Sequence, residues 1–483
     1  MKKYKILKHI IIKEDRLKVV FLFIGMLILG FAEMAGVASI VPFMSMVTDN
    51  SVIFSNKYLN YMYVELGFKS TDDFLFFSGI AVLCFMAAAN LFTIFMSWKM
   101  QHFVFMQEYR LAVRMLHKYL SQKYIFFLGR NSSDLSKNIL TEIGRAMSGV
   151  ILPILQVISK SIITFMLLVL LIFADPGLAL SIFISLGVIY LSLFFMVRKL
   201  LHSIGETVAK AISKRYKILG EIFSSIKMLK LKGGEDQFIN NYGEPSKKYA
   251  RFSAISTVIS HAPRYLLEIV AFGGIMAIVI YLISQGQSNS YVISYMALYA
   301  FAGYRLLPAL QAIYSNLTLI HYNFAAIEAI SVDLKLQESS LISRSQRKAK
   351  ENIFRDSLEL SELSFKYPGS NNDLLKNINL NLKKNTSIAF VGETGAGKST
   401  LIDLILGLHY PNGGNILLDG VMLTEDNYAD WRSIIGYVPQ DIYLADDTLE
   451  ANITFGIDPK DVDQDLVVRA SKIANLHQFV INE

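Results

Sequence analysis

The 483-residue sequence predicts two parts in series: an all-α membrane bundle of six helices, then an α/β domain organised around a phosphate-binding loop. Three observations predict it. Before about residue 320, apolar residues run for twenty or more positions, the length that crosses roughly 30 Å of hydrocarbon. After about residue 335 the chain turns polar and apolar residues recur with period two, as they do in strands. Within that second part, Gly392-Glu393-Thr394-Gly395-Ala396-Gly397-Lys398-Ser399 completes the spacing G-x(4)-G-K-[S/T].

The first eighteen residues open with "MKKYKILKHIIIKED", which sets Lys against Ile and Leu at helical spacing. Such a segment is expected to lie along the inner membrane surface as an elbow helix. It does not read as a cleavable leader, because the apolar run that follows is too long and no A-x-A site closes it. Spans are expected near 19–47, 74–98, 149–173, 178–198, 262–284 and 293–317, within a membrane domain covering 19–335. Short connections ("ADPGL", "SQGQSNS") separate spans three and four and spans five and six. The other connections, 99–148 and 198–261, are long and helical in pattern, so the helices are expected to continue past the membrane.

Composition supports the same division. The chain is 53% hydrophobic with a mean hydropathy of +0.40, too apolar for a soluble enzyme of this length. Its formal charge of +7 does not imply nucleic acid, because the basic residues cluster before span one and in 99–148 and 198–261. The connections near 174–178 and 285–292 carry none. That asymmetry puts the N-terminus and the second domain on the cytoplasmic side of a multi-pass membrane protein. The single cysteine, Cys84, falls in an apolar run and is expected as a small packing residue.

A linker is expected over 336–352 and the second domain over 353–483. "LELSELSFKY" alternates with one slip, which predicts a bulge or turn, and "INLNL" alternates strictly. "SIAFVG" reads as a buried strand ending at Gly392. The glycines of the following loop let backbone N–H groups approach phosphate oxygens. Lys398 is expected to neutralise β- and γ-phosphate charge, and the Ser399 hydroxyl to ligate Mg²⁺. A helix carrying Leu401, Leu404, Ile405 and Leu408 on one face then aims its positive end at the anion. Residues 392–400, through Thr400, are therefore the candidate nucleotide-binding set. "NILLDG" (415–420) mimics the acidic strand that accompanies such loops, but Gly420 and its closeness to the cradle helix favour a hairpin.

With these residues in place, the chain resembles an ATP-binding cassette (ABC) exporter half-transporter: a six-helix exporter bundle followed by one nucleotide-binding domain. Tyr367, in "LSFKYPG", occupies the family's place for an aromatic stacked on adenine, although a core tyrosine is the other reading. "GYVPQDIYLADDTLEANITFG" (436–456) resembles the glutamine loop. The resemblance gives Gln440 a catalytic role beside Mg²⁺ and the attacking water; a turn glutamine is the other reading. ATP and Mg²⁺ are the implied cofactors and a homodimer the implied complete form. The family's LSGGQ-type signature, catalytic Glu and switch His do not occur, so the resemblance takes the nucleotide-binding domain as truncated. On that reading this chain binds ATP weakly, hydrolyses little, and is either a fragment or needs a partner to supply the rest.

Ionisable residues inside the spans bear on what is moved. Glu33, Lys160 and Arg305 each lie about fourteen residues from an outer end, or about 21 Å deep at 1.5 Å per residue. A charge there costs about 2.5–3.5 kcal/mol on insertion scales, so each needs a partner or a wet face. Two arrangements satisfy them: a belt lining a substrate cavity, with cations for an anionic headgroup, or mutual neutralisation between helices. Arg264 and Glu268 form a further i,i+4 pair. "FAEMAGVASIVPF", "PRYLLE" and "YRLLPAL" resemble bacterial lipid-linked oligosaccharide flippases of protein glycosylation. That subgroup implies a polyprenyl-pyrophosphate-linked saccharide as substrate, in the bacterial inner membrane. Exporters of lipids, peptides or drugs share the scaffold, and a non-catalytic nucleotide-binding membrane protein is the reading from a different class.

Overall fold

The computed structural model describes residues 15–174, 176–284, 289–336, 353–440 and 442–482. The chain divides into two compact units, within residues 1–343 and 344–483. The expected elbow (1–18) falls outside the described residues up to residue 14, and the expected linker (336–352) falls outside them from residue 337.

Among the described residues the first unit contains six long helices: α1 (Arg16–Ala38), α2 (Thr71–Leu120), α3 (Leu152–Ala174), α4 (Pro176–Ser224), α5 (Glu235–Ser284) and α6 (Asn289–Leu334). Helices α2, α4 and α5 run for about fifty residues each, so they extend well past any apolar stretch. Among the described residues, four helical stretches are long and apolar enough to cross a membrane: Arg16–Thr48, Thr71–Leu120, Ser132–Phe173 and Gly187–Ser224. Large apolar side chains such as Phe76, Leu83, Leu91 and Phe173 face outward, which suits hydrocarbon rather than water. Cys84 is also exposed on α2, so it fills no gap in the core as the sequence reading expected.

The first span does not run unbroken. It stops at Ala38 and restarts as Ile40–Thr48. Pro42 lacks the N–H that would bond the carbonyl four residues back, and the Ser39 hydroxyl donates to Gly36 O at 2.8 Å. A similar cause acts before α3. There two wide helical turns, Asn138–Glu142 and Met147–Ile151, precede Pro153, which cannot donate to Gly149.

The core of this unit joins α1, α2, α3 and α6 through Met26, Leu29, Met96, Val104, Ile163, Leu167 and Ile327, with Ile143 and Met147 from the segment preceding α3. Helix α4 lies against α5 and α6. Its approach to α6 is close at Gly205, where a Cβ would stand 2.1 Å from the Tyr322 carbonyl oxygen. The far end of α6 is held by a buried carboxylate. Asp333 accepts from Tyr119 Oη at 2.6 Å, Asn138 Nδ2 at 2.9 Å and Arg130 Nη1 at 2.6 Å.

The second unit contains a four-stranded antiparallel sheet in the order β2-β1-β3-β4: β1 (Ser357–Phe365), β2 (Leu375–Lys383), β3 (Gly413–Leu418) and β4 (Val421–Met422). The slip in the β1 alternation is a bulge. Register shifts between Leu360 and Leu363, with Glu362 at φ +49°. "NILLDG" is a hairpin, with Leu418 paired to Val421 across Asp419 (φ +49°) and Gly420 (φ +81°). Positive φ at both central residues is what a tight primed turn demands. The Asp419 carboxylate accepts three backbone N–H groups, from Arg355, Asp356 and Ser357, at 2.7–2.9 Å. It is therefore a structural brace rather than a metal-binding strand end.

One element differs from the sequence reading. Residues 387–392, expected as a buried strand, form no strand, and Val391 is 93% exposed. A strand exists only through its ladder, and none of the described strands lies beside this segment to provide one.

Candidate functional site: a phosphate cradle and a charged cluster between helices

The cradle follows from local backbone chemistry. Residues 392–397 turn tightly, with Ala396 N donating to Glu393 O at 3.2 Å and both Gly395 and Gly397 at φ +89°. At Gly397 a Cβ would also stand 2.8 Å from Leu375 Cδ2, so both conformation and space require glycine. Gly397 caps helix α7 (Lys398–Ile405), which buries Leu401 and Leu404 in a core with Leu358, Leu360, Leu363, Phe365, Ile416 and Leu418. Trp431 Nε1 donates to Ile405 O at 2.7 Å and closes the far end of α7. The helix is thus anchored by its apolar face while its N-terminus and residues 392–396 stay exposed. Unpaired N–H groups and the aligned peptide dipoles make such an end attractive to anions.

Lys398 Nζ donates to Gly392 O and Glu393 O, both at 2.7 Å. The ammonium is thereby held over its own loop. Ser399 is exposed in the first turn, free to offer its hydroxyl to a cation. Thr400 is buried, and its hydroxyl lies 3.0 Å from Tyr367 Oη. Tyr367 is half-buried and meets Phe365 and His409 edge-on at 5.1 and 5.6 Å. It adjoins the cradle helix, as either of its expected roles requires. Burial lowers the His409 pKa and raises that of Asp403, whose carboxylate is 4.0 Å away. Gln440 lies exposed at a bend, and no hydrogen bond among the described residues joins it to Ser399.

The residues present fit a nucleoside triphosphate: a glycine-turned loop, a helix end and an ammonium converge on one exposed place. They fit Mg²⁺ through Ser399. Among the described residues no group of three His, Cys, Asp or Glu side chains could hold a metal by itself. That suits an ion shared between one hydroxyl and phosphate oxygens.

In the membrane unit, two of the three charges expected from sequence, Glu33 and Arg305, meet directly. Arg305 Nη1 on α6 lies 3.0 and 3.1 Å from the two carboxylate oxygens of Glu33 on α1. Thr93 Oγ1 donates to Glu33 at 3.3 Å, and Arg305 reaches Asn90 Oδ1 at 3.3 Å, both on α2. Lys160 on α3 interacts electrostatically with both charges. Sequence reasoning missed Asn90 and Thr93; their signal was polarity within the second apolar run. Arg264 is described, but the Glu268 side chain lies outside the described residues.

Comparison with known proteins converges on these two units. The ABC transporter transmembrane region matches residues 19–302, more than half of the chain, and the ABC transporter domain matches 375–481. "ABC transporter B family member 1" of Dictyostelium discoideum is 28% identical over 294 residues, 58% of this chain and 31% of that protein. A "putative multidrug export ATP-binding/permease protein" of Staphylococcus aureus is 40% identical over 125 residues, 26% of this chain and 21% of that protein. The chain thus spans under a third of the length of these curated relatives. The solved "structure of a bacterial Atm1-family ABC exporter with ATP bound" superposes with a TM-score of 0.70. It is 17% identical, covers 97% of this chain and 78% of its own, and shares the fold. A transmembrane-region match over more than half the sequence, joined to a glycine-turned cradle within the second matched domain, means that the chain belongs to the ABC transporter family.

Proposed function

We propose that the protein, in its complete form, is an ATP-driven exporter acting as a homodimer, and that it flips a polyprenyl-pyrophosphate-linked oligosaccharide across a bacterial inner membrane. The observation that carries the substrate class is the Glu33–Arg305–Lys160 cluster, two cations against one anion where four helices meet. Its excess positive charge suits a pyrophosphate inside an otherwise apolar bundle. The "FAEMAGVASIVPF", "PRYLLE" and "YRLLPAL" motifs support the same substrate. The basic extensions support an N-terminus and nucleotide-binding unit on the cytoplasmic side.

In this reading the backbone of residues 392–400 cradles the phosphates. Lys398 exchanges the Gly392 and Glu393 carbonyls for phosphate oxygens. Ser399 and Gln440 would hold Mg²⁺, and Tyr367 would offer its ring to the adenine. The bound Mg²⁺ would neutralise charge on the β- and γ-phosphates. A second reading, export of drug-like amphiphiles, draws on the multidrug description of the Staphylococcus relative.

The test is ATP-dependent flipping of a fluorescent lipid-linked saccharide in proteoliposomes of the complete transporter, run beside efflux of an amphiphilic dye. Flipping that disappears in Lys160→Gln/Arg305→Gln while ATP binding persists supports the first reading. Dye efflux without flipping overturns it in favour of the second.

A further inference from the structure

A cavity lies away from both sites, among the extensions of α4, α5 and α6 and the segment preceding α3. It encloses about 560 Å³. Its walls are unusual in chemistry: two guanidiniums, four phenol rings and a little aliphatic surface. Arg215 donates to Tyr242 Oη at 3.1 Å and stands 4.8 Å from the centre of the Tyr249 ring. Among the described residues it has no carboxylate partner. On the opposite wall Arg145 pairs with Glu142 at 3.0 Å, donates through Nε to Asn323 Oδ1 at 3.3 Å and faces the Tyr322 ring at 6.0 Å. Its Nη2 is buried without a hydrogen-bond partner among the described residues.

The walls are fixed rather than floppy. Tyr216 Oη meets Thr141 Oγ1 at 2.7 Å, and Tyr322 Oη meets Ser253 Oγ at 3.0 Å. The close approach of Gly205 to the Tyr322 carbonyl sets the position of α6, and with it Tyr322 and Asn323. Arg215, half-buried and without a carboxylate partner among the described residues, presents its guanidinium to the cavity and gains a charge-assisted hydrogen bond when an acceptor arrives. One excess guanidinium charge requires that acceptor to be anionic. The volume far exceeds a bare oxyanion, and the remaining surface is tyrosine faces with Val208, Ile212 and Leu219, which favour a ring.

We infer that this cavity is a binding site for a ring-bearing organic phosphate, a sugar phosphate or an aryl phosphate, separate from the nucleotide cradle. The phosphate sits between Arg145 and Arg215, and its ring lies against Tyr249 and Tyr322. This goes beyond the proposed transport cycle and does not depend on which lipid is moved.

The experiment is isothermal titration of the full chain in detergent on a Lys398→Ala background, which silences the cradle. The probes are phenyl phosphate, glucose 1-phosphate and inorganic phosphate. Saturable binding of at least one ester is expected, weakened about tenfold or more by Arg215→Gln, the scale of one lost charge-assisted hydrogen bond. Tyr249→Leu is expected to weaken it as well, whereas Tyr249→Phe, which keeps the ring face, holds affinity within about threefold of the parent. Unchanged melting temperatures exclude misfolding as the cause. No binding of either ester, equal affinity in Arg215→Gln, or inorganic phosphate binding as tightly as the esters overturns the inference.

Discussion

Removing Glu33 alone from the Glu33–Arg305 pair should cost more than removing both members. Glu33 is 5% exposed and its carboxylate lies 3.0 Å from Arg305 Nη1. At an effective dielectric of about 20, two unit charges at that distance attract by roughly 5 kcal/mol. Desolvation offsets much of it, so the pair itself is worth little, yet breaking it strands a charge. Glu33→Gln strands two cations, Arg305 and Lys160, and should lower stability by about 3–4 kcal/mol. Arg305→Gln leaves Glu33 with Lys160 as neighbour and should lower it less, by about 2 kcal/mol. The double variant should cost less than Glu33→Gln alone, which requires a favourable coupling larger than the roughly 2 kcal/mol of Arg305→Gln. The assay is a double-mutant cycle on unfolding of the detergent-solubilised protein, followed by circular dichroism. Costs that simply add, or a larger loss in Arg305→Gln than in Glu33→Gln, would refute the geometry.

Other residues give sharper local tests. Gly397→Ala forces a Cβ to within 2.8 Å of Leu375 Cδ2 at φ +89° and should destabilise the second unit by about 1–3 kcal/mol, with weaker ATP binding, read by melting and titration. Asp419→Ala removes the acceptor of three backbone N–H groups and should cost about 1–2 kcal/mol. Burial pushes the Asp419 pKa up, but those donors and Arg355 outweigh it and hold the carboxyl below its ordinary value. Its stabilising contribution is therefore complete above about pH 4 and lost as pH falls through the lowered folded pKa; Asp419→Asn should flatten that acid limb of a melting-temperature profile. Gly205→Ala places a Cβ 2.1 Å from the Tyr322 carbonyl and should cost about 1–3 kcal/mol in the membrane unit, measured by the same unfolding assay.

Legibility in the sequence follows the range of the interactions. The long helices were readable because hydrocarbon demands length and apolarity from each span separately. The 415–420 hairpin was readable because Asp419-Gly420 encodes its own turn, and the slip in β1 because alternation is local. Ser39 ends the first helix for a reason visible in Pro42, which the hydropathy run concealed. Residues 387–392 failed as a strand because apolarity describes a segment's preference but not its neighbour. At the sites, the loop Gly392–Ser399 announced itself, since each glycine answers a local backbone need. Counting depth brought Glu33, Lys160 and Arg305 to one level, because helices advance at a fixed rise. Nothing in a linear reading joins Asp333 to Tyr119, or Arg145 to Asn323, since those contacts bridge 214 and 178 positions and depend on helix rotation.

The central claim is that residues 392–400 grip a nucleotide triphosphate through Lys398. Equilibrium binding of radiolabelled ATP with Mg²⁺, comparing the native chain with Lys398→Ala, tests it most directly. The account predicts saturable binding that falls about tenfold or more in the variant, the scale of lost charge-assisted contacts. Binding absent from the native chain, or of equal strength in both, would contradict it.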